Sequence, residues 1–162
     1  EKAPENPAAW FSLGVVQDKL GKLDQVIAAM EKVIALDPKH ATALNYLGYT
    51  FADRNMRLTD AEKLILRALE VRPEDGYFLD SLAWVHFRRG DYPRAEEGLR
   101  RALKLVPDDP VILEHLGDVL QAQGKDEEAA GRFEKAIAKG HEKPDEVAAK
   151  LRRLRKAGPA GK

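Results

Sequence analysis

The chain has no cysteine and no net charge, and each absence closes off a class of function. Without cysteine there is no disulfide framework and no thiolate metal site. The 27 basic residues are balanced by 27 acidic ones, which leaves no overall field to draw in nucleic acid or an anionic membrane. No apolar run approaches the roughly 20 residues that a membrane-spanning helix needs. Neither a G-x-x-x-x-G-K-[ST] nor a G-x-G-x-x-G stretch occurs, so no phosphate cradle is encoded. The histidines, His40, His86, His115 and His141, are scattered, and none belongs to an H-E-x-x-H pair. His115 follows Glu114 on a helix, so the two point to different faces, and a structural or solvent-exposed histidine is the expected reading. No cofactor, no metal and no catalytic residue is expected, and the chain reads as a non-enzyme. It carries no signal peptide and does not begin with methionine, which points to an excised fragment.

What the sequence does contain is a repeat. Pro4, Pro38, Pro73 and Pro107 are spaced 34, 35 and 34, and Gly14, Gly48, Ala83 and Gly117 follow the same series. So do Gly21, Asn55, Gly90 and Gly124. Ala61, Ala95 and Ala129 are spaced 34, as are Ala68, Ala102 and Ala136, and Val26 and Val33 stand 35 before their partners. One residue is therefore inserted between Asn55 and Ala61.

Each unit reads as two helices. Leu113, Leu116 and Leu120 recur at i, i+3, i+7, the pattern of one helical face. Asn6-Pro7 and Asp109-Pro110 are cap-then-proline starts, in which the side-chain oxygen takes a free backbone N–H and proline has none to orphan. Glycine or asparagine at mid-unit breaks the first helix, and Pro38, Pro73 and Pro107 stop the second. Arg89-Gly90-Asp91 spells an adhesion tripeptide, but Gly90 lies in the mid-unit turn column, so the stretch reads as a tight turn between helices. A final segment from Pro144 places Val147, Leu151 and Leu154 on one apolar stripe, with acids in its first turn and Arg155 and Lys156 in its last. It predicts a capping helix over the last unit.

These motifs resemble the tetratricopeptide repeat, whose pattern is W-x2-L-G-x2-Y, then A-x3-F, A and P over 34 residues. Trp10, Leu13 and Gly14, then Leu44, Leu47, Gly48 and Phe51, then Leu113, Leu116, Gly117 and Leu120 carry its first half. Ala95, Leu99, Ala102 and Pro107, and Ala129, Phe133 and Ala136, carry the second. The resemblance implies an all-α, right-handed α-solenoid of four helix-turn-helix units plus a C-terminal capping helix. The expected division is 1–6, the tail of a preceding repeat or a linker; 7–40; 41–75, with the insertion; 76–109; 110–143; 144–157, the capping helix; and 158–162, a disordered tail. Some segments also look like those of proteobacterial repeat proteins, including lipoproteins, which leaves the cell envelope and the cytoplasm both open.

The resemblance implies a protein-interaction scaffold that holds a peptide or helical segment on the concave surface formed by the first helices. Carried over by position, the groove residues are Phe11 and Val15 in the first unit and Asn45, Tyr49 and Asp53 in the second. The third unit gives Tyr77, Asp80, Trp84, Phe87 and Arg88, and the fourth gives Glu114 and Asp118. Aromatics and carboxylates dominate this set, so the expected partner carries apolar anchors and basic residues. The places where chaperone-binding members carry a lysine, asparagine and arginine clamp hold Phe11, Val15, Tyr46, Tyr77 and Ser81, which argues against a partner ending in an acidic tail. Two other readings stand beside this one: a structural array that self-associates through its exposed ends, and binding of nucleic acid or an acidic surface by the basic last helix.

Overall fold

The computed structural model describes residues 5–157, so the expectations for residues 1–4 and for the tail 158–162 lie outside the described residues. Every regular element among the described residues is an α-helix: α1 Pro7–Lys19, α2 Leu23–Leu36, α3 Ala41–Asp53, α4 Leu58–Val71, α5 Gly76–Arg88, α6 Tyr92–Leu105, α7 Pro110–Ala122, α8 Asp126–Ala138 and α9 Pro144–Ala157. They fall into two compact units that meet in sequence at Pro73–Glu74, the first holding α1 to α4 and the second α5 to α9.

Capping explains the starts. The side chains of Asn6, Asp75 and Asp109 accept backbone N–H groups at the heads of α1, α5 and α7. Asp91 does the same for α6 by accepting from Arg94, so the last residue of the adhesion tripeptide is a helix cap. His40 caps α3 through Nδ1, which accepts from the Ala43 N–H at 3.2 Å. The mid-unit turns are built alike. Gly21, Asn55, Gly90 and Gly124 have φ of 69°, 52°, 79° and 73°. The next residue bonds back to the carbonyl five positions earlier, from Lys22 to Gln17, Met56 to Phe51, Asp91 to His86 and Lys125 to Leu120. The extra residue of the second pair lengthens its turn: α4 starts three residues after Asn55, and Arg57 at its head is left-handed with φ of 47°.

Within each pair the helices approach closely where the first helix has no side chain. A Cβ on Gly48 would lie 2.6 Å from Ile65 and 2.9 Å from the Ala61 carbonyl, and one on Gly117 would lie 2.5 Å from the Phe133 ring. The third pair carries Ala83 in that column, and the second helix yields instead: Gly98 faces it, with room for only one of the two methyls at 2.9 Å. In the first pair the arrangement is reversed, with Gly14 facing Ala29.

The core of the first unit is built on Val26, Met30, Val33, Leu44, Phe51 and Ile65, and that of the second on Leu99, Ile112, Leu113, Leu116, Leu120 and Phe133. Helix α9 packs on α8 and buries Val147, Leu151 and Leu154. Its Pro144 stands 34 residues after Pro110, so α9 keeps the register of a first helix.

Candidate functional site

In the second unit α5 and α7 lie side by side, and the residues expected to line a groove meet there. His115 is buried and its Nδ1 lies 2.7 Å from Oδ1 of Asp80, itself only 6% exposed. The Trp84 ring stacks with His115 at 4.2 Å and with Phe87 at 4.7 Å. The Arg88 guanidinium lies 5.0 Å above the Trp84 ring. Trp84 is 6% exposed and its indole Nε1 is buried without a hydrogen-bond partner among the described residues. The outward-lying members of the same face are Tyr77, 54% exposed, and Val111, 38% exposed.

The carboxylates of α7 are already engaged. Lys150 of α9 lies 2.7 Å from Glu114 and 2.6 Å from Asp118. His141, whose Nδ1 accepts the Lys143 N–H, directs Nε2 to within 2.8 Å of Glu114. The sequence reading treats Asp80, Glu114 and Asp118 as charges offered to a partner; the structure spends them on His115, His141 and Lys150. Burial pushes the Asp118 carboxyl up, ahead of the opposing pull of Lys150. Burial also acts on Glu114, but the hydrogen bond and charge of Lys150 outweigh it and hold that carboxyl below its ordinary value. Lys150 is desolvated too, yet Asp118 and Glu114 hold its ammonium above the usual range.

His115 follows the same balance. Burial alone would favour the neutral ring, but Asp80, then Asp118 and Glu114, together push its pKa up. A raised histidine stabilises the fold fully below its unfolded value near 6.5, and that contribution is lost as pH rises through the folded value. The expected result is an unfolding midpoint that falls between about pH 6 and pH 9, with the fall much reduced in His115→Gln. Urea titrations at both pH values check it; identical pH profiles for the two proteins would rule it out.

In the first unit Phe11 stacks on His40 at 5.5 Å and meets Tyr46 edge-on at 5.9 Å. The Tyr46 hydroxyl donates to Asp18 at 2.5 Å, and burial with that carboxylate pushes the phenol up. Tyr49 and Asp53 line a shallow cleft of about 180 Å³ with Asp18, Tyr46, Thr50 and Arg54. Val15 and Asn45 are half-buried on the neighbouring turns, and the Asn45 Oδ1 is buried without a hydrogen-bond partner among the described residues.

Sequence reasoning missed Lys150, His141 and the pairing of His115 with Asp80. Lys150 did leave a signal. With Val147, Leu151 and Leu154 it completes an i, i+3, i+4, i+7 set, so a lysine sits inside the stripe that must be buried.

A helix-pair repeat whose first helices gather aromatic and ionic side chains is a class of protein built for contact with other proteins. Models of the tetratricopeptide repeat match residues 16–75, 52–110 and 86–154. A TPR repeat-containing protein of Pseudomonas aeruginosa is 40% identical over 115 residues, covering 71% of this chain and 19% of that protein. Superkiller complex protein 3 of Mus musculus is 26% identical over 117 residues, 72% of this chain and 7% of that one. The chain thus spans about a fifth or less of the length of these relatives. Among solved structures, a thermophilic TPR protein in Thermus thermophilus superposes with a TM-score of 0.79 at 22% identity, covering 94% of this chain and 83% of that one. PilW, a widely conserved type IV pilus biogenesis factor, gives a TM-score of 0.77 at 17% identity over 98% and 81%.

The chain belongs to the tetratricopeptide repeat family, in a form of proteobacterial type. The repeat fold is one that supports a protein-interaction scaffold, and it is typically non-catalytic. No described helix is long and apolar enough to cross a membrane.

Proposed function

We propose that the face shared by α5 and α7 binds an extended or helical segment of a protein partner through apolar anchors. The observation that carries this reading is the exposed pair Tyr77 and Val111 beside the stacked Phe87, Trp84 and His115. Large apolar side chains left open on a rigid floor suit an anchor residue, which can contribute 2 kcal/mol or more at a hot spot. In the first unit, Phe11, Tyr49 and Asp53 supply the corresponding aromatic and acidic groups. Because Asp80 is already engaged by His115, and Glu114 and Asp118 by Lys150, their pull on basic residues of a partner is reduced and apolar burial dominates.

A peptide selected on the protein from a random displayed library provides the probe. Tyr77→Ala is expected to raise its Kd about 30-fold, chiefly through faster dissociation, while Glu97→Ala on the exposed side of α6 leaves it within about two-fold. Loss of binding in Glu97→Ala with full binding in Tyr77→Ala would move the site to the second helices.

A further inference from the structure

The outer face of α1 is unlike those of its counterparts α3 and α7. Each of those receives the second helix of the preceding pair: α2 packs on α3, and α6 packs on α7. Beneath that cover, Leu47 is 2% exposed and Leu116 1%, while Thr50 is 9% and Val119 0%. The residues of α1 in these two columns are Leu13 and Val16, and they are 41% and 52% exposed. Leu20, one turn on, is 60% exposed, where α3 and α7 are followed by Arg54 and Gln123. Leu13, Val16 and Leu20 stand at i, i+3, i+7, so they form one continuous stripe. With Trp10, Phe11 and Val15 on its other sides, α1 carries large apolar side chains in several directions rather than along one stripe, with Ser12, Gln17, Asp18 and Lys19 between them.

The second helices show what fits this stripe. Ile34, Leu69, Leu103 and Ile137 form one column, aliphatic in every pair and half-buried throughout. It is a second apolar ridge beside the one that packs on the helix's own partner.

We propose that the Leu13–Val16–Leu20 face is the seat of the second helix of a preceding tetratricopeptide pair in the same polypeptide. Three observations favour this occupant. The interface continues the α2–α3 and α6–α7 packing in the same columns. Pro4 occupies the column of Pro38, Pro73 and Pro107, each of which follows a second helix. The Pseudomonas relative has most of its length beyond the matched segment, since the match covers 19% of it. This inference does not depend on the peptide-binding face, which lies on other residues.

The test replaces residues 1–6 with a duplicate of residues 7–40, which keeps the 34-residue spacing and whose second helix already mates with an equivalent face on α3. The extended chain is expected to unfold in one transition with Tm raised by about 5 °C or more, and with Trp10 emission shifted to the blue. Val16→Asp is expected to remove that gain while moving the Tm of the unextended chain by less than about 1 °C, as for an exposed position. An added pair that melts separately, or a Val16→Asp effect of equal size in both chains, would overturn the proposal. So would a concentration-dependent dimer of the unextended chain that Val16→Asp dissolves, because the face would then belong to a second copy. Hydrogen exchange in α1 supplies a further readout: protection in the extended chain should rise more in α1 than elsewhere in the first unit.

Discussion

Lys150→Ala is expected to destabilise the protein by about 2–3 kcal/mol, far more than a surface ion pair would cost. The lysine closes the space between Glu114 and Asp118, whose side chains are each 15% exposed, while its own is 27% exposed. Removing it leaves two poorly solvated carboxylates facing one another, and water reaches them only in part. The magnitude lies below that of a fully buried pair because of that access. A pH series distinguishes this from lost packing of the lysine stem, while salt and a triple change separate it from a surface ion pair. The deficit should shrink as pH falls towards about 4, where the carboxylates take up protons. It should respond weakly to salt, since enclosed charges are little screened. The triple change Lys150→Met, Glu114→Gln and Asp118→Asn should recover most of the loss. A cost under about 0.5 kcal/mol in urea unfolding would mean that the triad behaves as an ordinary surface bridge.

Gly117→Ala is expected to cost about 2–3 kcal/mol, against the usual direction of that substitution. In an exposed helix interior alanine is favoured over glycine by roughly 1 kcal/mol. Here the new methyl would stand 2.5, 2.7 and 3.0 Å from three atoms of the Phe133 ring. The ring is fully buried in the core of the second unit. Overpacking of this kind typically costs 1–3 kcal/mol, and a rigid ring gives less than a flexible chain would. Gly14→Ala offers a comparison within the same protein: its methyl would meet the end of Met30, at 2.5 Å, and a thioether can swing aside. Thermal unfolding of the two variants should therefore rank Gly117→Ala well below Gly14→Ala. The opposite rank would mean that Phe133 moves more easily than its burial implies.

The all-α fold was legible because the repeat imposes it several times over. Proline, glycine and alanine recur in register, and each column has a local physical reason, from the left-handed turns at Gly21, Gly90 and Gly124 to the close approach at Gly48 and Gly117. The candidate site was legible only as a list of positions. The family resemblance places Asp80 and Trp84 of α5 and Glu114 and Asp118 of α7 on a shared face. It cannot say which of them meet a partner and which meet each other. That depends on contacts between residues roughly one repeat apart, such as Asp80 with His115, and on Lys150 arriving from α9. Aromatic groups were sorted the same way: Trp84 is buried and Tyr77 is exposed, although both stand in columns expected to face inward.

The exchange between Ala83 and Gly98 has a consequence for how this chain could be recombined. Repeat proteins are commonly treated as strings of interchangeable modules. In the third pair the missing methyl has migrated from the first helix to the second, so neither helix carries a complete specification of the joint. A hybrid with α5 followed by an α2-like helix would bring Ala83 against an alanine in the Ala29 column and collide. The reciprocal hybrid, Gly14 opposite the glycine of α6, would leave a gap. The smallest piece that can be shuffled without mismatch is therefore the whole hairpin, and a crossover point belongs at the proline boundaries, never at the mid-unit turn.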